Sequence, residues 1–190
     1  MNLAEEFTLL AYGVDGTPEL DSVRLDHGLG GALLLDLALT GRVDVDDKKV
    51  VVLDPALTGD PLLDRALDRI AAEGRPRKPT QWVSKFAKDT RKLTLDRLVE
   101  AEVLVREQGT VLLIFPRTRY PAPHGGEPVA ETEARQRLVA AVTGSGPVEP
   151  RTAALCALLA ATGLDRKVFR DLDRGPVSYT HLTLPTILRV

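Results

Sequence analysis

The spacing of apolar residues along the chain predicts a mainly α protein. Six segments of helical length carry apolar residues at helical spacing or in a nearly unbroken run. The segment 27–39 is apolar on almost every side, as expected of a buried central helix. Amphipathic helices are expected to wrap around it as a single helical core. The predicted helices are 3–12, 27–39, 60–72, 93–101, 129–142 and 151–162.

Residues typical of helix starts set the expected boundaries. Asp26 is expected to cap the central helix, and Thr80 to cap a short segment that carries Trp82 and Phe86 in the core. Glycines inside a helix lower its intrinsic helicity by about 1 kcal/mol each. The central helix carries three of them, and close approach of another helix is the expected reason; they are Gly28, Gly30 and Gly31.

Two pairs of short β-prone segments predict two hairpins. The first joins strands 42–45 and 50–53, and the second joins strands 103–105 and 111–115. Each hairpin follows a helix, so both resemble wings attached to the helical core. The next segment, 116–128, contains four prolines and two glycines, and it is predicted to be a loop.

A strongly basic stretch precedes the second hairpin. Residues 75–92 carry seven cations and one acid, Asp89, in a chain whose net charge is −2. Such a local excess of positive charge fits an anionic partner, and its alternative explanation is a solvated helix face. The candidate residues for contact with an anionic surface in this stretch are Lys85, Lys88, Arg91 and Lys92.

The second predicted hairpin ends in the apolar run 111–115, which is followed by Arg117 and Arg119. If the hairpin meets a membrane, these arginines would lie at headgroup depth. The same run also fits a strand buried in the domain core. The residues that would face a membrane are Leu112, Ile114, Phe115, Arg117 and Arg119.

Length and composition limit the other possibilities. A chain of 190 residues with 44% hydrophobic and 27% charged residues fits one globular domain, predicted to cover 1–175. Cys156 is the only cysteine, so no internal disulfide is possible, and its apolar helix predicts an inert core thiol. No apolar run approaches the roughly 18 residues of a membrane-spanning helix. No motif predicts a catalytic site, a cofactor or a metal site, and the expected location is cytoplasmic or peripheral on a membrane.

The last fifteen residues differ in composition from the rest of the chain. Residues 176–190, PVSYTHLTLPTILRV, are rich in threonine and proline, whereas the preceding chain is rich in alanine, aspartate, arginine, valine and leucine. This tail resembles translated sequencing adapter. We therefore predict that it is non-native and that the native domain is truncated at its C-terminus.

Four segments in order resemble the Golgi phosphoprotein 3 family. They are LAEEFTLLAY, HGLGGALLLDLALTGRV, TGDPLLDRAL and RLVEAEVLV, and with the apolar strand and loop that follow they extend the similarity over 3–169. The chain looks like one of the shorter bacterial, actinobacterial members. The resemblance implies a mainly helical fold with a protruding β-hairpin that dips into membranes.

The resemblance also implies a function. Eukaryotic members are adaptors in membrane trafficking: they bind phosphatidylinositol 4-phosphate on the cytosolic face of the Golgi, hold the cytosolic tails of glycosyltransferases, and include tetramers. Two arginines of the family's headgroup pocket fall on Lys88 and Arg91, which keep the positive charge. The pocket's other arginine and its tryptophan fall on Gly30 and near Asp21, so selectivity for the 4-phosphate stays open.

Two other classes of function remain as alternatives. A helix followed by a hairpin resembles a winged helix, and the basic stretch could contact DNA phosphates. A sequence pI near 6.0 argues against nucleic acid. The second alternative is a protein-binding scaffold without lipid contact.

Overall fold

The computed structural model describes residues 1–111, 115–144, 147–170 and 172. This part of the chain forms eight helices and two antiparallel hairpins, so the predicted mainly α fold with two hairpins is confirmed. The predicted boundary at 175 and the predicted non-native tail 176–190 lie outside the described residues. The elements are α1 Leu3–Ala11, α2 Ser22–Leu39, β1 Val43–Asp46, β2 Lys49–Val52, α3 Pro61–Ala71, α4 Pro79–Phe86, α5 Thr90–Glu100, β3 Glu107–Val111, β4 Phe115–Arg119, α6 Val129–Thr143, α7 Pro150–Thr162 and α8 Asp165–Val168.

Helix α2 is the centre of the fold, and it packs against α1, α4 and α7. It begins at Ser22 rather than at His27, so the predicted cap at Asp26 is wrong. The actual cap is Asp21, whose Oδ1 accepts a hydrogen bond of 3.0 Å from the backbone N of Arg24. A cap at Asp21 satisfies the first free N–H groups, so the helix starts earlier and Asp26 becomes an internal residue whose carboxylate is available to another element.

The glycines of α2 permit close packing, as predicted. A Cβ on Gly30 would lie 2.4 Å from the carbonyl oxygen of Val83 in α4, a separation that real Cβ atoms essentially never show. Gly28 has the same role toward α1, where a Cβ would lie 2.5 Å from the ring of Phe7. The helix therefore loses intrinsic helicity and gains backbone-to-side-chain and backbone-to-backbone contact with two neighbours.

The first hairpin matches its predicted position to within a residue. Its register pairs Val43 with Val52 and Asp46 with Lys49. The two residues of its turn have positive φ, 42° at Asp47 and 60° at Lys48, which is the geometry of a two-residue hairpin turn.

The second hairpin is displaced along the sequence from the predicted position. Its strands are Glu107–Val111 and Phe115–Arg119, so the predictions of strands at 103–105 and 111–115 and of a loop from 116 are wrong. The backbone N atoms of Val103 and Leu104 instead donate to the carbonyl of Leu98, which turns the chain away from the end of α5. Leu104 is buried in the core, so these apolar residues anchor the base of the hairpin.

Many of the arginines in the described ranges link one helix to another. Arg97 of α5 bonds to Glu5 of α1 at 2.8 Å and to the cap residue of α3, Asp60, at 3.0 Å. Arg151 of α7 bonds to the buried carboxylate of Asp36 in α2 at 3.0 Å. Because these cations are committed to the fold, the surface cations that have no such role stand out as candidates for binding.

Candidate functional site

The basic stretch 75–92 covers the approach to α4, α4 itself, a turn and the start of α5. Lys88 lies in the turn and Arg91 in α5, so the two candidate residues do not belong to one continuous helix. Helix α4 ends at Phe86, and its last carbonyl accepts a hydrogen bond of 2.6 Å from the hydroxyl of Thr90. The break occurs because this hydroxyl takes the place of the next backbone donor. Trp82 and Phe86 are buried and stacked in the core, as predicted.

Arg91 is held against the start of α2. Its Nε and Nη2 atoms each lie 2.6 Å from one carboxylate oxygen of Asp26, and Nη2 also donates to the carbonyl of Ser22 at 3.1 Å. The hydrogen bond to Asp26 raises the pKa of Arg91 above its usual range. Arg91 therefore fixes the first turn of α2 beside α5, with 28% of its side chain exposed.

Two other candidate residues also have carboxylate partners. Lys85 pairs with Glu73 and lies 4.8 Å above the ring of Trp82. Hydrogen bonds from Arg77 and from Lys85 lower the pKa of Glu73 to about 2. Lys92 pairs with Asp96 at 2.6 Å, one helical turn further along α5.

Lys88 differs from the other three candidates, because it is exposed and has no ion pair with any described residue. Its acidic neighbour Asp89 is occupied by two arginines of α3, Arg65 at 2.7 Å and Arg69 at 3.3 Å. Asp89 is therefore shared by two arginines and does not pair with Lys88. We call Arg65, Arg69, Lys88 and Arg91 the basic surface.

The sequence analysis did not identify the arginines of α3 as candidate residues. Their spacing within α3 carries no signal of a site, because the partner Asp89 lies 24 residues from Arg65 and 20 from Arg69. Only the packing of α3 beside the end of α4 brings them to Asp89. Arg69 confirms this packing, since its guanidinium lies 5.3 Å from the centre of the Phe86 ring.

The two positions at which the family pocket is incomplete have structural roles in this chain. Gly30 is in backbone contact with α4, so a side chain cannot be placed there at the observed helix separation. Asp21 caps α2 and pairs with Arg24 at 2.6 Å. The structure therefore offers neither an arginine nor an aromatic ring at these two positions.

The second hairpin carries the remaining candidates. Arg117 and Arg119 lie in β4 and are exposed, and Arg119 lies 3.6 Å from Glu107 across the hairpin. Leu112 and Ile114 lie outside the described residues. Phe115 begins β4 opposite Val111, the last residue of β3, so 111 and 115 belong to different strands and 111–115 is not one return strand. The characterised side chains of both strands, at 107–110 and 117–119, are exposed, so the hairpin projects from the helical body.

No group of three or more histidine, cysteine, aspartate or glutamate side chains is placed to hold a metal within the described residues. Cys156 is buried, and burial raises the pKa of its thiol to about 11. Among the helices described, none combines the length and the apolar character that crossing a bilayer demands.

The fold is thus a helical body built around one buried helix, with a projecting hairpin and a basic surface at the junction of α2, α3, α4 and α5. Comparison with known families agrees with this class of protein. Residues 3–183 match the family model described as Golgi phosphoprotein 3 (GPP34). The chain belongs to the Golgi phosphoprotein 3 family, which confirms the resemblance predicted from the sequence.

Proposed function

We propose that this protein is a peripheral membrane adaptor that binds anionic phospholipid headgroups and has no catalytic activity. The headgroup is held at the basic surface by Lys88 and Arg91, while the apolar end of the second hairpin enters the bilayer. By family resemblance, the phosphorylated headgroup is that of phosphatidylinositol 4-phosphate, and the cytosolic tails of membrane enzymes are the clients. The protein would then work on the cytosolic face of a membrane.

The observation that carries this proposal is the pairing pattern around Lys88. Lys88 is exposed without an ion pair among the described residues, and the nearest acid in sequence is already bound by Arg65 and Arg69. Asp89 is therefore engaged by these two arginines, and the ammonium group of Lys88 stays available to a phosphate. Each basic residue near an anionic leaflet contributes about 1 kcal/mol, so this surface supports salt-sensitive binding.

The position of the second hairpin supports the same proposal. Its exposed arginines, Arg117 and Arg119, follow the apolar run 111–115 in the sequence. Arginine stems pack along apolar surface while their charged ends stay near the headgroups. This arrangement suits an element that places an apolar end below headgroup depth and keeps its cations at that depth.

The test is vesicle co-sedimentation of the Lys88→Glu variant at low and high salt. Neutral vesicles are compared with vesicles that contain phosphatidylinositol and with vesicles doped with phosphatidylinositol 4-phosphate. We expect the variant to bind anionic vesicles at least about tenfold more weakly, because reversal removes one attraction and adds one repulsion. Lys88 is the better target than Arg91, since charge reversal at Arg91 would also break the ion pair with Asp26.

Arg166→Glu is the matched control, because Arg166 is an exposed cation on α8, a helix that packs against α7. This control should bind as the wild type does. Preference for the 4-phosphate over other anionic vesicles would establish the selective form of the proposal, and equal binding would establish the generic form. Unchanged binding of Lys88→Glu would rule out this headgroup site.

A further inference from the structure

A second group of cations, which form no ion pair with any described residue, lies at the opposite end of α4 from Lys88. Arg75 and Lys78 precede α4, and both are exposed without an ion pair among the residues that the structure describes. Their neighbour Arg77 has a structural role, because it pairs with Glu73 at 2.7 Å. The surface on this side of Glu73 therefore keeps two uncompensated positive charges.

The first hairpin brings a third cation to the same place. The backbone N of Val50 donates to the carbonyl of Arg77 at 2.8 Å, in an antiparallel bridge between β2 and the segment before α4. Continued by one residue, the antiparallel register of this bridge sets Lys49 opposite Lys78. Lys49 is exposed, and the residue opposite it in the hairpin, Asp46, makes no ion pair within the described ranges.

We infer that the protein meets an anionic bilayer at two separate places, one at each end of α4. The first is the basic surface around Lys88, and the second consists of Lys49, Arg75 and Lys78, which we call the second basic patch. This inference rests on the proposed function and extends it, because it assigns the second patch to lipids other than the headgroup held at Lys88.

The length of α4 separates the two contacts. An α-helix rises about 1.5 Å per residue, so eight residues place its ends about 12 Å apart. That separation exceeds the Debye length of about 8 Å at physiological ionic strength. One phosphorylated headgroup therefore cannot serve both ends, and the second patch requires additional anionic lipid in the same leaflet.

The acid that precedes the second patch along the chain is already paired with two cations. Glu73 is the acid nearest to it along the approach to α4, and Glu73 is held by both Arg77 and Lys85. The acids of the first hairpin, Asp46 and Asp47, lie on the strand end and turn beside Lys49 and reduce its contribution. Arg75 and Lys78 are therefore the residues on which the patch depends most.

The test compares Arg75→Gln/Lys78→Gln with the wild type on two kinds of neutral phosphatidylcholine vesicle. One kind contains sparse phosphatidylinositol 4-phosphate alone, and the other also contains about one fifth phosphatidylserine. Loss of two attractions of about 1 kcal/mol each predicts about 30-fold weaker binding to the phosphatidylserine-containing vesicles. Binding to the sparse phosphoinositide vesicles should change less than about threefold, since the second patch then faces neutral lipid.

Lys88→Gln is the companion variant, and it should weaken binding to both kinds of vesicle. Arg166→Gln is the control, and thermal unfolding verifies that each variant is folded. If the double variant binds both vesicles as the wild type does while Lys88→Gln binds weakly, the second patch is overturned and the proposed function stands. Equal losses on both vesicles would overturn the two-contact arrangement.

A wild-type protein that binds neither vesicle would overturn the proposed function, and the second patch as a lipid site with it. Binding of duplex DNA in place of vesicles, weakened by the same double substitution, would assign the patch to nucleic acid and would equally overturn the inference.

Discussion

At the scale of single residues, the role of a side chain in this protein is decided by what packs against it from a distant part of the sequence. The sequence indicated that the glycines of α2 permit close approach of another helix, and Gly30 does so. It could not indicate which helix approaches, because Val83, the residue in contact, lies 53 positions further along the chain.

Gly30→Ala tests this contact, with Gly31→Ala as its control. A Cβ at position 30 would lie 2.4 Å from a backbone oxygen of α4, which cannot move without moving the helix. A Cβ at position 31 would lie 3.2 Å from Cδ2 of Leu158, the end of a flexible side chain. Overpacking costs typically 1–3 kcal/mol, so we expect Gly30→Ala to lose about 2 kcal/mol of unfolding free energy.

Gly31→Ala raises helix propensity by about 1 kcal/mol, and the close contact with Leu158 offsets part of this gain. Its unfolding free energy should therefore remain within about 0.5 kcal/mol of the wild type. Urea unfolding of both variants measures the difference. Equal stabilities would show that α2 and α4 are further apart than the structure places them.

The candidate site shows the same limit of sequence reasoning. The charge of 75–92 was evident from the sequence, but the partner of Arg91, Asp26, lies 65 residues away and was assigned to a helix cap. The sequence analysis therefore named four candidate cations without identifying which of them pair with carboxylates. The structure separates Lys88, which is exposed and unpaired among the described residues, from three cations that each pair with a carboxylate.

At the scale of elements, helices were predicted better than the second hairpin. The apolar spacing of a helix extends over ten or more residues, so it is easily recognised in a sequence. Helices α6 and α7 begin and end within about two residues of their predicted bounds. The predicted position of the second hairpin was wrong because a short run of apolar residues does not by itself identify a buried strand. A proline at 116 also suggested a loop, yet a two-stranded hairpin consists of edge strands, which tolerate proline.

The displaced hairpin leads to a prediction for its apolar end. Leu112→Ser/Ile114→Ser should reduce membrane binding while leaving the unfolding free energy within about 0.5 kcal/mol, as is usual for substitutions outside the core. The expectation follows from the hairpin's strands, whose characterised side chains at 107–110 and 117–119 are exposed and lie outside the core. Vesicle co-sedimentation and urea unfolding, measured on the same preparation, give both quantities.

Leu104→Ser provides the contrast, because Leu104 anchors the base of the hairpin in the core and is 4% exposed. It should destabilise the protein by about 2 kcal/mol or more, as expected when a buried apolar side chain is lost. If the double variant at the hairpin end were equally destabilised, the apolar run would belong to the core, as the alternative sequence interpretation held.

At the scale of the whole molecule, buried charge makes stability depend on pH. Glu131 of α6 is 8% exposed and bonds to Arg135 at 2.8 Å. Arg135 in turn bonds to Glu127 at 2.8 Å and to the carbonyl of Val168 in α8 at 3.2 Å. Burial, followed by repulsion from Glu127, raises the pKa of Glu131 from 4.5 to about 7. The carboxyl group of Glu131 is therefore linked through Arg135 to α8.

The direction of the pH effect follows from proton binding. Between about pH 4.5 and 7 the folded protein keeps a proton on Glu131 that the unfolded chain has released, so stability falls as pH rises through this window. Asp36 acts in the same direction, because burial raises its pKa from 3.8 to about 6. Above about pH 7 both groups are charged in either state, and their contribution no longer changes.

Glu131→Gln isolates the contribution of one group, because glutamine is neutral at every pH and keeps an oxygen that can accept from Arg135. A pKa difference of about two and a half units corresponds to at most about 3 kcal/mol. We therefore expect the variant to gain about 2 kcal/mol on the wild type between pH 4.5 and pH 8, measured as the change in their difference in unfolding free energy. Glu133→Gln, on the same helix but more exposed, should track the wild type at both pH values. A constant difference for Glu131→Gln would mean that Glu131 is already ionised in the folded protein near pH 5, and that its ion pair with Arg135 outweighs its burial.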